Sequence, residues 1–164
     1  FFFGVLAGEV PFDRTQTAIL RDVTPTHPML ERIVAIHVAE EARHISFAHS
    51  YLGRSVPRSP RSHRFLLSLY VPLVMRLLCS AFLVLPRSFF VQLGIPRAVR
   101  RQAFFGDPAS RRSLQDMYSD IRMLCHEVGL MNPAARAVWR LCRIGGPPAR
   151  YRNEPSRCRL VDAA

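Results

Sequence analysis

Residues Ile33 to Ala48 limit the fold more than any other stretch of this chain. Ile33, Val34, Ile36, Val38, Ala42, Ile45 and Ala48 make a helix here apolar over most of its circumference, yet His37, Glu41 and His44 sit at i, i+4 and i+7 within it. At about 100° per residue these three side chains line one face over two turns. A polar stripe inside an apolar helix must be paired or metal-bound to avoid a heavy desolvation cost. The helix therefore needs other helices around it, and the stripe needs partners on them. Two imidazoles and a carboxylate make a ligand set that suits iron, zinc or manganese. An isolated Glu-x-x-His is short and common by chance, so a solvated face or a polar seam between helices is the competing reading. Against it stand the apolar flanks and Glu9, which lies in the apolar run Leu6-Ala7-Gly8-Glu9-Val10-Pro11-Phe12 upstream. Ala7 and Gly8 beside it permit close helix approach.

The remainder reads as helical too. Turn signals are Pro- and Gly-based, and alternating strand patterns are absent. A first helix is expected within Phe1 to Arg21, with Pro11 as a kink or first-turn residue. Asp22-Val23-Thr24-Pro25 breaks it. Thr26 is the expected N-cap of the second helix, with Pro28 in its first turn and Gly53 as its stop. Arg54 to Ser62 reads as a loop. The apolar run Phe65 to Ile95 is interrupted by Arg76, Pro72 and Pro86. The uncharged piece beyond Arg76, Leu77 to Pro86, is only ten residues. A membrane span needs about 20 apolar residues in a row, so a buried or partly interfacial helix is expected and no span. Pro96 opens a short basic helix. Asp107-Pro108 opens another that runs to about Val128, and Asn132-Pro133 opens a last one through Trp139 to Arg143. Residues 1–146 are expected to be the C-terminal portion of one helical domain, and 147–164 a flexible arginine-rich tail.

The formal charge is +11, but all 23 basic residues are arginine. That uniformity suits a bias in genome composition better than selection for phosphate contacts, and no nucleic-acid motif accompanies it. The charge is uneven. No Asp or Glu occurs from Ile45 to Gly106, while arginines recur at 54, 58, 61, 64, 76, 87, 97, 100 and 101. A solvated basic surface, or one that meets an acidic partner, is expected there. Cys79, Cys125, Cys142 and Cys158 form no CxxC pair, and the first two sit in apolar helical patterns as small core residues. A reduced, cytoplasmic setting follows. The chain opens Phe1-Phe2-Phe3-Gly4 without methionine, which points to a fragment or a processed chain.

The run Ile36-His37-Val38-Ala39-Glu40-Glu41-Ala42-Arg43-His44-Ile45-Ser46-Phe47-Ala48 resembles the signature of the 4-aminobenzoate N-oxygenase (AurF-like) di-iron family. The resemblance is specific over Glu9 to Leu52 and diffuse beyond. It implies an all-α, partial ferritin-like bundle with additional C-terminal helices. It implies that Glu9, His37, Glu41 and His44 are metal ligands, with His37 the family's extra histidine one turn before the Glu-x-x-His unit. Ferritin-like sites draw two glutamates and two Glu-x-x-His units from four helices. With the extra histidine the full set numbers about seven, and this chain supplies four of them as the C-terminal part. The cofactor implied is a di-iron centre, incomplete here. The implied reaction is O2-dependent oxidation of an aromatic amine nitrogen, inactive without the other half, with the electron donor unspecified. A homodimer is one assembly allowed. Asp13, Asp116, Asp120 and Glu127 are candidates to orient the histidines. Phe2, Phe12, Phe47 and Tyr51 either line a substrate pocket or, as aromatics at helical spacing usually do, fill the core. A ferritin-type metal-binding protein and a non-catalytic helical remnant are the alternatives.

Overall fold

The computed structural model describes residues 1–22, 27–102, 106–152 and 154. Among them the chain is all-α, with no strand, in line with a ferritin-like bundle. The helices are α1 (Phe2–Arg21), α2 (Pro28–Ser55), α3 (Arg61–Leu83), α4 (Arg87–Gln92), α5 (Arg97–Arg101), α6 (Pro108–Met117), α7 (Ser119–Glu127) and α8 (Pro133–Leu141).

Helix α1 is the hub. It packs against α2 on one side and α3 on the other, and α8 closes on α3. Phe3, Leu6, Ala7 and Val10 of α1 are buried with Ile45, Ala48 and Leu52 of α2 and with Val71, Met75 and Cys79 of α3. Pro11 stays inside α1, where the Thr15 hydroxyl donates to its carbonyl at 2.8 Å. Ala7 is buried and Gly8 faces Phe82 of α3, so the small pair does serve helix approach.

Several boundaries differ from the sequence expectation. Thr26, the expected N-cap of α2, lies outside the described residues. The cap is His27, whose ring nitrogen accepts from the Met29 N–H at 3.2 Å. Gly53 does not stop α2, which runs to Ser55, and Val56 N–H still donates to the Leu52 carbonyl. The expected single helix from Pro108 to Val128 breaks at Tyr118. That residue leaves helical geometry (φ −99°, ψ 12°), and its buried hydroxyl donates to the Met75 carbonyl of α3. Gly129 then ends α7 with φ +71°, and a side chain there would collide with Arg64. The segment from Pro147, expected to be loose, is held as far as it is described. The buried Arg122 guanidinium donates to the carbonyls of Ile144 and Pro147, and Ala149 N–H donates to the Ser119 carbonyl. Glu154 is buried against Arg150. Cys79 and Cys125 are core thiols as expected, Cys142 is half-buried, and Cys158 lies outside the described residues.

The apolar circumference of α2 is covered only in its C-terminal half. Ile45, Ala48, His49 and Leu52 are buried, whereas Met29, Leu30, Ile33 and Ile36 are exposed. Among the described residues no helix covers these four side chains.

Candidate metal centre

Helices α1 and α2 run antiparallel and present matching stripes. Glu9, Asp13 and Gln16 on α1 have the same i, i+4, i+7 spacing as His37, Glu41 and His44 on α2. Antiparallel packing sets the ends of the two stripes against one another. His44 Nδ1 lies 3.1 Å from Glu9 Oε1, and Gln16 Nε2 approaches Glu41 Oε1 at 3.5 Å. Within α2, His37 Nδ1 lies 3.6 Å from the same Glu41 oxygen.

All four expected ligands therefore meet as two pairs, Glu9 with His44 and Glu41 with His37. Among the described residues no group of three or more His, Cys, Asp or Glu is gathered closely enough to hold a metal. The pairs are nonetheless neighbours, because Glu9 and Asp13 both act electrostatically on Glu41. The second oxygens of Glu9 and Glu41 are buried and have no hydrogen-bond partner. The imidazoles lie at the other extreme, about two-thirds exposed (64 % for His37, 63 % for His44) against 14 % for the Glu41 side chain. The stripe thus has a buried carboxylate floor and an open histidine rim.

Burial pushes the Glu41 carboxyl above its usual range. The hydrogen bond and charge of His37 oppose this, and Asp13 and Glu9 add to it. Asp13 is raised as well, again by burial first, with Arg14 opposing and Asp120 reinforcing. A desolvated carboxylate beside other carboxylates, with oxygens lacking donors, is a site short of positive charge. The donor set and the two orphaned oxygens fit one side of a di-iron site.

The residues expected to orient the histidines divide differently. Asp13 faces the stripe through Glu41. Asp116 and Asp120 turn to Arg14 of α1, at 4.0 and 3.2 Å, and so tie α1 to α6 and α7. Glu127 lines a shallow groove with His49, away from both histidines. Of the aromatic candidates Phe2 is half-buried and packs against the core, and the other three are exposed. Phe47 is 60 % exposed, Tyr51 48 % and Phe12 37 %. Phe2, Phe47 and Tyr51 instead form a cluster across α1 and α2, with centroids 4.5 to 6.3 Å apart, and Phe12 sits edge-on to Phe82.

Sequence reasoning passed over Gln16 and His49. Gln16 was legible as the last member of the Glu9, Asp13, Gln16 stripe. His49 carried no signal, since it sits off the His37–His44 face. It is buried, with Nε2 unpartnered, and burial lowers its pKa, with Arg152 adding to the fall and Asp120 opposing it.

An all-α bundle with facing carboxylate and histidine stripes on antiparallel helices defines a class, the ferritin-like helical bundles. Residues 1–129 match the family described as P-aminobenzoate N-oxygenase AurF, and the chain belongs to that family. It is 57 % identical over 163 residues to uncharacterized proteins of Mycobacterium bovis and of Mycobacterium tuberculosis strain H37Rv, and 56 % identical to one of strain CDC 1551. Each match covers 99 % of this chain and 48 % of the relative, so the chain spans about half the length of the curated relatives it matches. No solved structure matches.

Proposed function

We propose that this chain carries one side of a di-iron centre in an oxygenase that oxidises an aromatic amine nitrogen with O2. The observation that carries the reading is the pair of buried, unpartnered carboxylate oxygens on Glu9 and Glu41 beside the imidazoles of His44 and His37. Glu9, His37, Glu41 and His44 would hold iron, and the centre when bound supplies O2 activation. The chain's own residues do the rest. Glu41 feels the negative charge of Asp13 and Glu9, and so gains from a cation. Gln16 steadies its Oε1 from α1. The half-exposed rings of Phe2, Phe47 and Tyr51 start one turn beyond His44 and offer an arene a stacking surface beside the ligands. One Glu-x-x-His unit occurs in the 164 residues. A complete site needs a second, so catalysis belongs to an assembly in which the remaining ligands meet the histidine rim.

Iron content after anaerobic ferrous loading and desalting tests the ligand assignment. His37→Ala and Glu41→Ala are each expected to weaken iron retention about tenfold or more, the scale seen even for outer-shell losses. Wild-type iron content in both variants would refute it. Iron uptake without amine oxidation by the ligand-complete protein would favour the ferritin-type reading instead.

A further inference from the structure

The region from α3 to α5 takes no part in the ligand stripe, yet it combines exposed apolar side chains with a cluster of arginines. Leu66, Tyr70, Leu73 and Leu77 recur at helical spacing along the outer face of α3, and each is 52 to 68 % exposed. The inner face, Val71, Met75 and Cys79, is buried. The one charge in the middle of the helix, Arg76, is turned inward, where it acts on Cys79 and Tyr118. The outer stripe is therefore apolar without interruption. Residues 61–92 pass the length and composition test for crossing a membrane. A spanning helix meets lipid around its circumference, whereas α3 spends its inner face on α1 and α8.

Beyond α3, exposed Phe89, Val91 and Leu93 lead to a concavity lined by Arg87, Arg97, Arg100 and Arg101. Arg100 lies over the buried Phe90 ring at 5.5 Å, and its Nε is buried without a partner. No acidic residue occurs in the sequence between Ile45 and Gly106. Whatever sets the chain's preference for arginine over lysine, each guanidinium can take two phosphate oxygens at once.

We propose that the exposed stripe of α3 and the arginine concavity between α4 and α5 form one docking surface for a membrane rich in anionic phospholipid. The apolar stripe lies in the acyl boundary, and the arginines take lipid phosphates at its edge. The observations favour this occupant over a second copy of the chain, which would bring the same acid-free, arginine-lined surface against itself. On the proposed function, a partner that completes the metal site would meet the histidine rim on α2.

Sedimentation of the chain with vesicles tests this. Binding to equal parts phosphatidylcholine and phosphatidylglycerol is expected to exceed binding to phosphatidylcholine alone by about tenfold or more, and to weaken with added salt. Arg97→Glu with Arg101→Glu, both exposed, is expected to abolish the preference. Leu73→Gln with Leu77→Gln is expected to abolish the part of binding that survives high salt. Equal binding to both vesicle types, unchanged binding in both double variants, or full release by millimolar inorganic phosphate at constant ionic strength would overturn the proposal. So would a dimer in sedimentation equilibrium that Leu73→Gln with Leu77→Gln dissociates.

Discussion

At the scale of single residues, burial without a partner marks the informative positions. The unpaired oxygens of Glu9 and Glu41 call for a cation, and the unpaired Nε2 of His49 calls for neutrality. The sign of the His49 effect follows from linkage. Its imidazole binds a proton near 6.5 in the unfolded chain and only at lower pH in the folded one, because burial opposes the charge. The stability tied to the neutral ring is thus complete above about pH 6.5 and is lost as pH falls towards the folded value. Glu41 and Asp13 act in the opposite sense, because the folded protein takes up their protons first as pH falls. The diagnostic quantity is therefore the difference between wild type and His49→Gln. Urea midpoints measured from pH 7.5 down to 5 are expected to fall more steeply for wild type, and parallel curves would show that His49 carries no such linkage. The residues His37, Glu41, His44 and Glu9 were legible in the sequence because their spacing is a property of one helix, or of one carboxylate in one apolar run. His49 was not, since its burial is decided by α7 and the segment around Arg152, more than 70 residues away in sequence.

At the scale of elements, helix type was legible throughout and helix ends were not. Prolines at 28, 108 and 133 each open a helix where the sequence predicts one, because proline fits the first turn. Gly53 misled, since glycine stops a helix only where a left-handed conformation is used, and the chain continues helical through it. The break at Tyr118 was invisible because its cause lies on α3, at the Met75 carbonyl. Asn132 shows how one residue can join both levels. Its Oδ1 accepts from the Ala135 N–H at 2.9 Å and caps α8, while its Nδ2 donates to the buried Ser68 hydroxyl of α3 at 2.8 Å. Asn132→Ala removes the cap and a cross-helix bond together. A loss of about 1–2 kcal/mol is expected in chemical denaturation. Asn132→Ser, which restores a capping oxygen but is too short to reach Ser68, is expected to recover part of it. Equal losses in both variants would assign the whole effect to the cross-helix bond.

At the scale of the whole molecule, two uncovered surfaces differ in kind. One runs along α3 to α5 and is apolar and basic. The other is the N-terminal half of α2, where exposed Ile33 and Ile36 flank the exposed His37. The sequence required neighbours around that helix, and among the described residues Met29, Leu30, Ile33 and Ile36 are left uncovered. The relatives are about twice as long as the region matched here. The part of the Mycobacterium tuberculosis relative outside that region is therefore the natural candidate to cover α2 and bring the remaining ligands. Co-expression of that part with this chain is expected to give a complex that retains about two irons per pair, the complement of a ferritin-like site. This chain alone is expected to retain one or fewer. Metal would replace the Glu9–His44 and Glu41–His37 contacts, so Glu41→Ala is expected to lower iron in the complex while leaving its assembly intact on gel filtration. Ile36→Asp is expected to do the reverse, preventing assembly without touching a ligand. Two irons retained by the isolated chain, or assembly indifferent to Ile36→Asp, would place the rest of the centre elsewhere than on the open face of α2.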